Sequence, residues 1–161
     1  MCRPNLFFDA GQHSYRLIRF KGKTISHKMH QQAVILFDGV CNFCCAWVLF
    51  LIKRDKKESF VFASLQSEVA VQLLKPFGVS NTELNTVIYI KNNTCLQQST
   101  AALEILTDLG GMWRLWGIFK LIPEAVRNVF YRFIAGTRYK VFGKKDRCMV
   151  PSSEIRKRFL S

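Results

Sequence analysis

The sequence predicts an α/β fold with the element order β-α-β-α-β-β-α, followed by a C-terminal helical extension. The continuous apolar run Ala33–Phe37 is typical of a strand that is buried on both faces. A strongly apolar segment of helical length follows this run after a short turn. Further along, Asn92-Asn93 separates two short β-prone runs and is typical of a tight hairpin turn. At 161 residues the chain has the length of about one domain and needs no disulfides to fold.

The core elements are expected between residues 33 and 111. In chain order they are a strand at Ala33–Phe37, a helix from about Cys41 to Lys53, a strand at about Phe60–Ala63, a helix from near Ser67 to Lys75, a strand at Thr86–Ile90, a strand at Thr94–Gln97 and a helix from Ser99 to Leu109. The middle of the first helix is apolar on all sides, which predicts that it is largely buried. Pro76 ends the second helix. Ser99 is expected to cap the third, which ends at Gly110-Gly111.

Two flanking regions complete the predicted organisation. Residues 1–32 form a basic N-terminal extension, and residues 112–161 form a basic, aromatic-rich helical extension that packs on the core at 33–111. In the second flank, Met112–Leu121 and the segment that starts at Pro123 carry apolar residues at helical spacing. No apolar run reaches the roughly 18 residues of a transmembrane helix, and no secretory signal is recognised. We therefore expect a cytoplasmic protein, with a mitochondrion or plastid as the alternative if the N-terminal extension is a transit peptide.

The net charge of +13 lies almost entirely in the two flanks. Residues 1–32 carry +5, residues 33–111 carry −1 and residues 112–161 carry +9. One interpretation is a solvated, solubilising surface. The other is a non-enzymatic binding module for nucleic acid or an anionic membrane, in which Trp113, Trp116, Tyr131 and Tyr139 form a stacking surface among basic residues.

The chemistry is expected at the Cys-x-x-Cys pair formed by Cys41 and Cys44. Positions three apart lie on one helix face, so the two thiols can form a disulfide. They open a helix, where free backbone N–H groups and the helix dipole favour a thiolate. Thiol–disulfide exchange needs one exposed, ionised thiol that attacks and a second thiol that resolves the mixed disulfide. We assign Cys41 as the nucleophile and Cys44 as the resolving thiol.

Other residues near the pair are secondary candidates. Asp38 and Gly39 form the turn before it, and Asp38 either caps the helix or accepts a proton near Cys44. Cys45 is a competing resolving thiol or a small buried hydrophobe, since it points about 100° away from Cys44 around the helix. Cys148 is a secondary thiol candidate because neighbouring basic residues should lower its pKa.

A structural zinc site is the alternative role for the same cysteines. Three of the six cysteines crowd into five positions, which is typical of redox or metal chemistry rather than of a secreted disulfide scaffold. A zinc site usually needs a second Cys-x-x-Cys or a histidine pair, and the sequence contains neither. Redox chemistry is therefore favoured over zinc, although zinc could still recruit Cys45, Cys148 or a histidine.

The sequence resembles the DCC family of thiol–disulfide oxidoreductases over about residues 33–160. The resemblance lies in four blocks, at Phe37–Cys44, Phe62–Ser67, Ser99–Leu103 and between Ile122 and Cys148. It implies a thioredoxin-like fold, which the element order matches, and a protein-disulfide reductase activity carried by Cys41 and Cys44 with no metal or organic cofactor. It also implies that Phe62–Ser67 and Arg138–Cys148 lie near the site. The expected partners are a disulfide-containing protein or a small thiol substrate and an upstream thiol reductant, and the oligomeric state is left open.

The chain departs from ordinary thioredoxins at one position. Those proteins place a cis-proline just before strand three, whereas this sequence has Asn85-Thr86 there. A cis bond before a residue other than proline costs about 3 kcal/mol, so a trans bond is expected. The edge that docks the substrate is therefore expected to differ.

Overall fold

A four-stranded mixed sheet forms the centre of the computed structural model, which describes residues 32–79, 86–144 and 153–160. The strands are β1 (Ala33–Phe37), β2 (Phe60–Ser64), β3 (Ile88–Lys91) and β4 (Thr94–Gln97). Their order across the sheet is β2-β1-β3-β4. β1 runs parallel to β2 and antiparallel to β3, and β3 runs antiparallel to β4. The predicted thioredoxin-like α/β fold is confirmed.

In the described ranges, five α-helices and two 3-10 stretches accompany the sheet. The helices are α1 (Asn42–Arg54), α2 (Glu68–Leu74), α3 (Gln98–Leu109), α4 (Glu124–Phe142) and α5 (Ser153–Arg156). One 3-10 turn, Lys75–Phe77, extends α2, and a longer one, Gly111–Leu121, lies between α3 and α4 and is called the 3-10 segment below. Within the described ranges, no helix combines the length and the hydrophobicity needed to cross a membrane.

Strand β1 lies inside the sheet and contributes side chains to two hydrophobic clusters. Ile35 and Phe37 pack in the cluster that contains α1 and α3 residues, whereas Val34 and Leu36 pack in the cluster that contains α2 residues. Alternate side chains of a strand point to opposite faces, so a strand covered on both sides must be apolar throughout. Burial on both faces therefore explains why the sequence of this strand is a continuous apolar run.

Several predicted boundaries are confirmed and one is wrong. β1 and β4 have the predicted limits, and Asn92 and Asn93 adopt the positive φ angles of 48° and 58° that the hairpin turn requires. Ser99 is not the cap of α3, because the helix begins at Gln98, directly after β4. The Ser99 hydroxyl instead donates a hydrogen bond to Asn128 Oδ1 of α4.

Two predicted helices differ in detail from the structure. In α1 the fully buried side chains are those of Val48 and Leu51, so the helix is less buried than its apolar sequence predicts. Its half-buried Phe50 ring packs at the border of the core and meets the ring of Trp113, with the centroids 5.0 Å apart. The predicted helix at Met112–Leu121 is the 3-10 segment, which packs against α3.

The C-terminal residues return to the sheet. The backbone N–H of Phe62 donates to Arg158 O, and the N–H of Leu160 donates to Phe62 O, both at 2.8 Å. The Phe159 ring packs against Phe37 and Phe62. The last described residues therefore lie beside β2. The predicted N-terminal extension, apart from Gln32, is outside the described residues, and the domain limits at 32 and 111 stay a prediction.

Candidate active site

Cys41 occupies the cap position of α1. The chain leaves β1 through the Asp38-Gly39 turn and reaches Cys41 in an extended conformation, with φ −91° and ψ 119°. The Cys41 sulfur accepts a hydrogen bond from the backbone N–H of Cys44 at 3.5 Å. An N-cap side chain normally supplies an oxygen for this bond and satisfies one of the unpaired N–H groups of the first turn. Here a thiol sulfur takes that place.

Cys44 lies one turn further along α1, and the pKa of its thiol is strongly raised. Burial, together with the charge and the hydrogen bond of the neighbouring Cys41 side chain, raises the pKa of the Cys44 thiol from 9.0 to about 12. The positive charge of Arg138 lowers this pKa and the carboxylate of Asp38 raises it by smaller amounts. Cys44 is therefore the protonated partner of the pair at neutral pH.

Cys41 is fully buried, with 0% of its surface exposed, contrary to the expectation that the attacking thiol is exposed. Its cover comes from the end of α4 and the residues after it. Cys41 forms an isolated antiparallel bridge with Lys144. Asn42 Nδ2 donates to Phe142 O at 2.7 Å, and the rings of Phe43 and Phe142 lie 5.1 Å apart.

Asp38 is buried and lies at the centre of a polar cluster near the thiols. Its Oδ1 accepts hydrogen bonds from Val40 N at 3.2 Å and from Gln66 Nε2 at 3.0 Å. Its Oδ2 accepts from Arg138 Nη2 at 2.9 Å and from the Tyr139 hydroxyl. The side chains of Asp38 and Arg138 are each only 3% exposed. We call Asp38, Gln66, Arg138 and Tyr139 the Asp38 cluster.

In the Asp38 cluster, Asp38 and Tyr139 have roles that differ from those expected from the sequence. The cap of α1 is Cys41, whereas the Asp38 carboxylate accepts the Val40 N–H in the preceding turn. Tyr139, expected in an aromatic stacking surface, donates its hydroxyl to Asp38. Arg138 was not singled out by local patterning, because its partner lies 100 residues away. The signal that pointed to it was the family resemblance, which placed Arg138–Cys148 near the site.

Gly39 allows the loop after β2 to approach the thiol-bearing turn. A Cβ atom at Gly39 would lie 2.6 Å from Ser64 Oγ, closer than real Cβ contacts. The Gly39 N–H donates to Gln66 Oε1 at 3.1 Å. The block Phe62–Ser67 therefore lies at the site, as the resemblance implied, and Gly39 is required there for space rather than for a positive φ.

The backbone ahead of β3 has a hydrogen-bond partner from α4. The Tyr131 hydroxyl accepts from Val87 N and from Thr86 Oγ1, both at 2.9 Å. Burial raises the pKa of this tyrosine. This is the region where thioredoxins carry the cis-proline; Asn85 itself lies outside the described residues. The N–H of Val87 is thus paired within the chain.

The remaining cysteines have separate surroundings. Cys45 is half-buried, packs against the hydrophobic cluster beside α1 and donates its thiol to Gly39 O at 3.7 Å. Cys95 lies on β4 and packs against the other cluster. Cys148 is outside the described residues. Among the residues that are described, no group of three or more His, Cys, Asp or Glu side chains is placed to hold a metal ion.

Comparisons with known proteins agree with the resemblance. The family profile described as DCC1-like thiol-disulfide oxidoreductase matches residues 35–144. An uncharacterized Bacillus subtilis protein, YuxK, is 46% identical over 127 residues, which cover 79% of this chain and 93% of the relative. A chloroplastic DCC family protein of Arabidopsis thaliana is 32% identical over 119 residues, covering 73% and 69% of the two chains. No solved structure matches. The matched segment contains both thiols and the whole Asp38 cluster, and the chain belongs to the DCC1-like thiol-disulfide oxidoreductase family.

Proposed function

We propose that the protein is a thiol-disulfide oxidoreductase that reduces a disulfide-containing protein or a small disulfide through Cys41 and Cys44. The observation that carries the proposal is the arrangement of the two thiols at the start of α1. The Cys41 sulfur accepts the Cys44 N–H, while the pKa of the Cys44 thiol is raised to about 12. The Cys44 N–H points at the Cys41 sulfur, which is the sulfur that attacks, and the Cys44 thiol keeps its proton until the second step; exchange needs two sulfurs with such different roles.

In the first step the Cys41 thiolate attacks one sulfur of the substrate disulfide. A Cys41–substrate mixed disulfide forms, the substrate S–S bond breaks, and the other substrate sulfur leaves as a thiolate that takes a proton. Backbone N–H groups of the first helical turn stabilise the anionic sulfur before attack. Because Cys41 is buried beneath Phe142–Lys144, this segment has to move aside to admit the substrate.

In the second step the Cys44 sulfur attacks Cys41. The mixed disulfide breaks, the Cys41–Cys44 disulfide forms, and the second substrate sulfur leaves and takes up the proton released by Cys44. The substrate has gained two electrons and the protein has lost two. The negative charge on Cys41 is gone in the mixed disulfide, so one cause of the raised Cys44 pKa disappears when this step needs a thiolate.

Arg138 acts in this scheme as a positioning residue for the second step. Its positive charge lowers the pKa of Cys44. Four donors already occupy the carboxylate of Asp38, so it serves as the fixed partner of Arg138 and the departing substrate sulfur takes the proton. An upstream thiol reductant then returns the pair to the dithiol. We propose the cytoplasm as the compartment; the chloroplastic name of the Arabidopsis relative makes a plastid the alternative.

The test is a redox titration with acid-quenched alkylation and peptide mass mapping. Equilibration with reduced and oxidised glutathione is expected to yield a Cys41–Cys44 disulfide. Cys44→Ser is expected to accumulate a mixed disulfide on Cys41, and Cys41→Ser to accumulate none. Cys45→Ser is the matched control, and its disulfide should form with an unchanged potential.

Two results would overturn the proposal. One is that Cys41 and Cys44 stay unlinked over the whole range of glutathione potentials. The other is stoichiometric zinc in the purified protein whose removal unfolds it, which would assign the cysteines to a structural site instead.

A further inference from the structure

Helix α4 buries polar residues and exposes apolar ones. On its inner side, Asn128 accepts the Ser99 hydroxyl, Tyr131 accepts from Thr86 and Val87, and Arg138 pairs with Asp38. These contacts hold the helix against α3, the residues just before β3 and the turn before α1. Amphipathic helices on a protein surface normally have the opposite orientation, with the apolar side inward. The outer side of α4, which in such helices is usually polar, therefore exposes apolar side chains.

The outer side carries a stripe of large apolar side chains. The exposed members, which we call the α4 stripe, are Val126, Val129, Phe130, Phe133, Ile134 and Val141. They fall at 126, at the adjacent positions 129 and 130, at 133 and 134, and at 141; members of successive turns are three or four residues apart except for the gap before 141, so they lie along one face of the helix. Phe130 and Phe133 are 67% and 71% exposed. A scattered exposed apolar residue is ordinary, but a continuous stripe of this kind marks an interaction surface.

The 3-10 segment adds a second set of exposed apolar side chains. They are Met112, Leu115, Trp116, Ile118, Phe119 and Leu121. The segment joins α4 through Ile122-Pro123, and both elements pack on α3. Among the described residues, four other large hydrophobic side chains are exposed. Ile122 joins the two elements, Phe142 is the last residue of α4, the Phe43 ring packs on Phe142, and Val71 lies elsewhere. Exposed hydrophobicity is thus concentrated in one part of the chain.

The same part of the chain is strongly basic. Residues 111–144 contain seven Lys and Arg residues and one acidic residue, Glu124. Arg138 pairs with Asp38, and Lys120 pairs with Glu104. In the ranges that the structure covers, no ion pair engages the other five, which are Arg114, Arg127, Arg132, Lys140 and Lys144. Lys140 lies between the positions of the α4 stripe.

We propose that the α4 stripe and the 3-10 segment dock on an anionic phospholipid surface. Aromatic and aliphatic side chains with interspersed basic residues suit the boundary between acyl chains and anionic headgroups. A second copy of this chain would bring the same positive charge against it, which opposes self-association through this face. A nucleic acid would neutralise the basic residues but leave the apolar side chains uncovered.

Docking through this face would bring the thiol pair close to the membrane. The α4 stripe ends beside Phe142, whose carbonyl accepts the Asn42 side chain at the start of α1 and whose ring packs on Phe43. The surface and the thiols therefore meet at the same end of α4. The inference stands on exposed area and charge alone, so it holds or fails independently of the proposed thiol chemistry.

The experiment is flotation of the full chain with lipid vesicles. Vesicles of phosphatidylcholine with about 30 mol % phosphatidylglycerol should carry the protein, and vesicles of phosphatidylcholine alone should carry much less. High salt should weaken the binding. The double variant Val129→Ser/Phe133→Ser should lower the partition coefficient at least about ten-fold. It removes two exposed apolar side chains that docking would bury in the membrane. Lys140→Gln with Arg114→Gln should lower it on the anionic vesicles only.

Matched controls separate docking from general hydrophobicity. Val71→Ser removes an exposed valine on α2, away from the surface, and Lys57→Gln removes an exposed lysine outside it; both should leave partitioning unchanged. Circular dichroism and cooperative unfolding check that each variant is folded.

Four outcomes would overturn the proposal. They are absence of binding, equal binding to neutral vesicles, a concentration-dependent dimer abolished by Val129→Ser/Phe133→Ser, and retention on DNA that the same variant leaves intact. The third would assign the surface to a second copy, and the fourth would assign the basic residues to nucleic acid.

Discussion

Two buried carboxylates stand at the two ends of α1, and each is paired with an arginine from far along the chain. Asp38 precedes the helix and binds Arg138, 100 residues away. Asp55 caps the other end of the helix and binds Arg158, 103 residues away. Both carboxylates are almost completely excluded from solvent. The chemistry of the two pairs is the same, but their surroundings are not.

At Asp55 the partners are mainly backbone groups. Its oxygens accept from Ser59 N and Phe60 N, both at 3.0 Å. Arg158 completes the set and also donates to Phe60 O at 3.0 Å. These bonds join the end of α1, the start of β2 and the C-terminal residues. This pair therefore holds three parts of the fold together.

At Asp38 most partners are side chains, and the thiols lie within reach of the charges. Arg138 and Asp38 shift the pKa of Cys44 in opposite directions. No thiol is among the contacts of Asp55 and Arg158 described here. Two ion pairs of the same kind therefore act differently. The pair at the C-terminal end of α1 joins parts of the fold, whereas the pair before α1 shifts the pKa of the Cys44 thiol.

Arg138→Met should have the largest combined effect. It leaves the Asp38 carboxylate buried without its cation, which should lower the free energy of unfolding by about 3–5 kcal/mol. It also removes a charge that lowers the pKa of Cys44, so the mixed disulfide should resolve roughly ten-fold more slowly. Denaturant unfolding and stopped-flow resolution of a glutathione mixed disulfide measure the two effects. Arg138→Lys should recover part of the rate, and an unaltered resolution rate in Arg138→Met would contradict the role given to Arg138.

Arg158→Met makes the corresponding change at the C-terminal end of α1, where Arg158 pairs with Asp55. The Arg158 side chain is 11% exposed against 3% for Arg138. Because its site is less buried, the variant should lose about 3 kcal/mol of unfolding free energy. The rate of mixed-disulfide resolution, measured below the onset of unfolding, should stay at the wild-type value. A slowed resolution in this variant would remove the distinction between the two ends of α1.

Gly39→Ala tests the close approach next to Asp38. The added Cβ would meet Ser64 Oγ at 2.6 Å, so the variant should lose about 1–3 kcal/mol of unfolding free energy. The double variant Gly39→Ala/Ser64→Ala should recover most of that loss. Gly136→Ala is the control, because nothing lies within 4 Å of its Cβ position in α4, and it should be neutral or stabilised by up to about 1 kcal/mol. Equal losses at both glycines would show that crowding at Gly39 is not the cause.

The dependence of stability on pH through Cys44 is expected only above pH 9, so this prediction has the smallest effect at neutral pH. Below pH 9 the thiol keeps its proton in both the folded and the unfolded chain, so it contributes no change with pH. Between pH 9 and about 12 the unfolded chain loses this proton and the folded protein keeps it, so stability falls as pH rises. The slope should approach about 1.4 kcal/mol per pH unit within this interval. Urea unfolding under reducing conditions should show a flatter decline for Cys44→Ser than for the wild type, and parallel declines would refute the shifted acidity.

Local patterns in the sequence predicted most of the sheet. The apolar run of β1 and the Asn92-Asn93 turn depend on neighbouring residues alone, so their limits could be read directly. The cap of α3 could not, because the Ser99 hydroxyl is bound by Asn128, a residue of a later helix. The same limit applies to the site: the spacing of Cys41 and Cys44 was visible, whereas Arg138 reaches Asp38 only through the folded chain.

Periodicity also identified α4 without showing which side faces the core. Apolar residues at helical spacing usually form the buried side of a helix. In this helix the orientation is set by long-range polar contacts, such as those of Tyr131 with Val87 and of Arg138 with Asp38. Those partners cannot be found from the spacing of Val129 and Phe133, so the exposure of the stripe emerges only from the structure.

The pairing of residues 158–160 with β2 has a consequence for the state of the protein in solution. β2 is the last strand on its side of the sheet, and Arg158 O and the Leu160 N–H occupy backbone groups of Phe62 that would otherwise face outward. Unpaired backbone groups on an outer strand recruit strands from other molecules. A chain cut before Arg158 should therefore tend to aggregate, because proteolysis near the C-terminus would convert a covered strand edge into a template for intermolecular β-pairing.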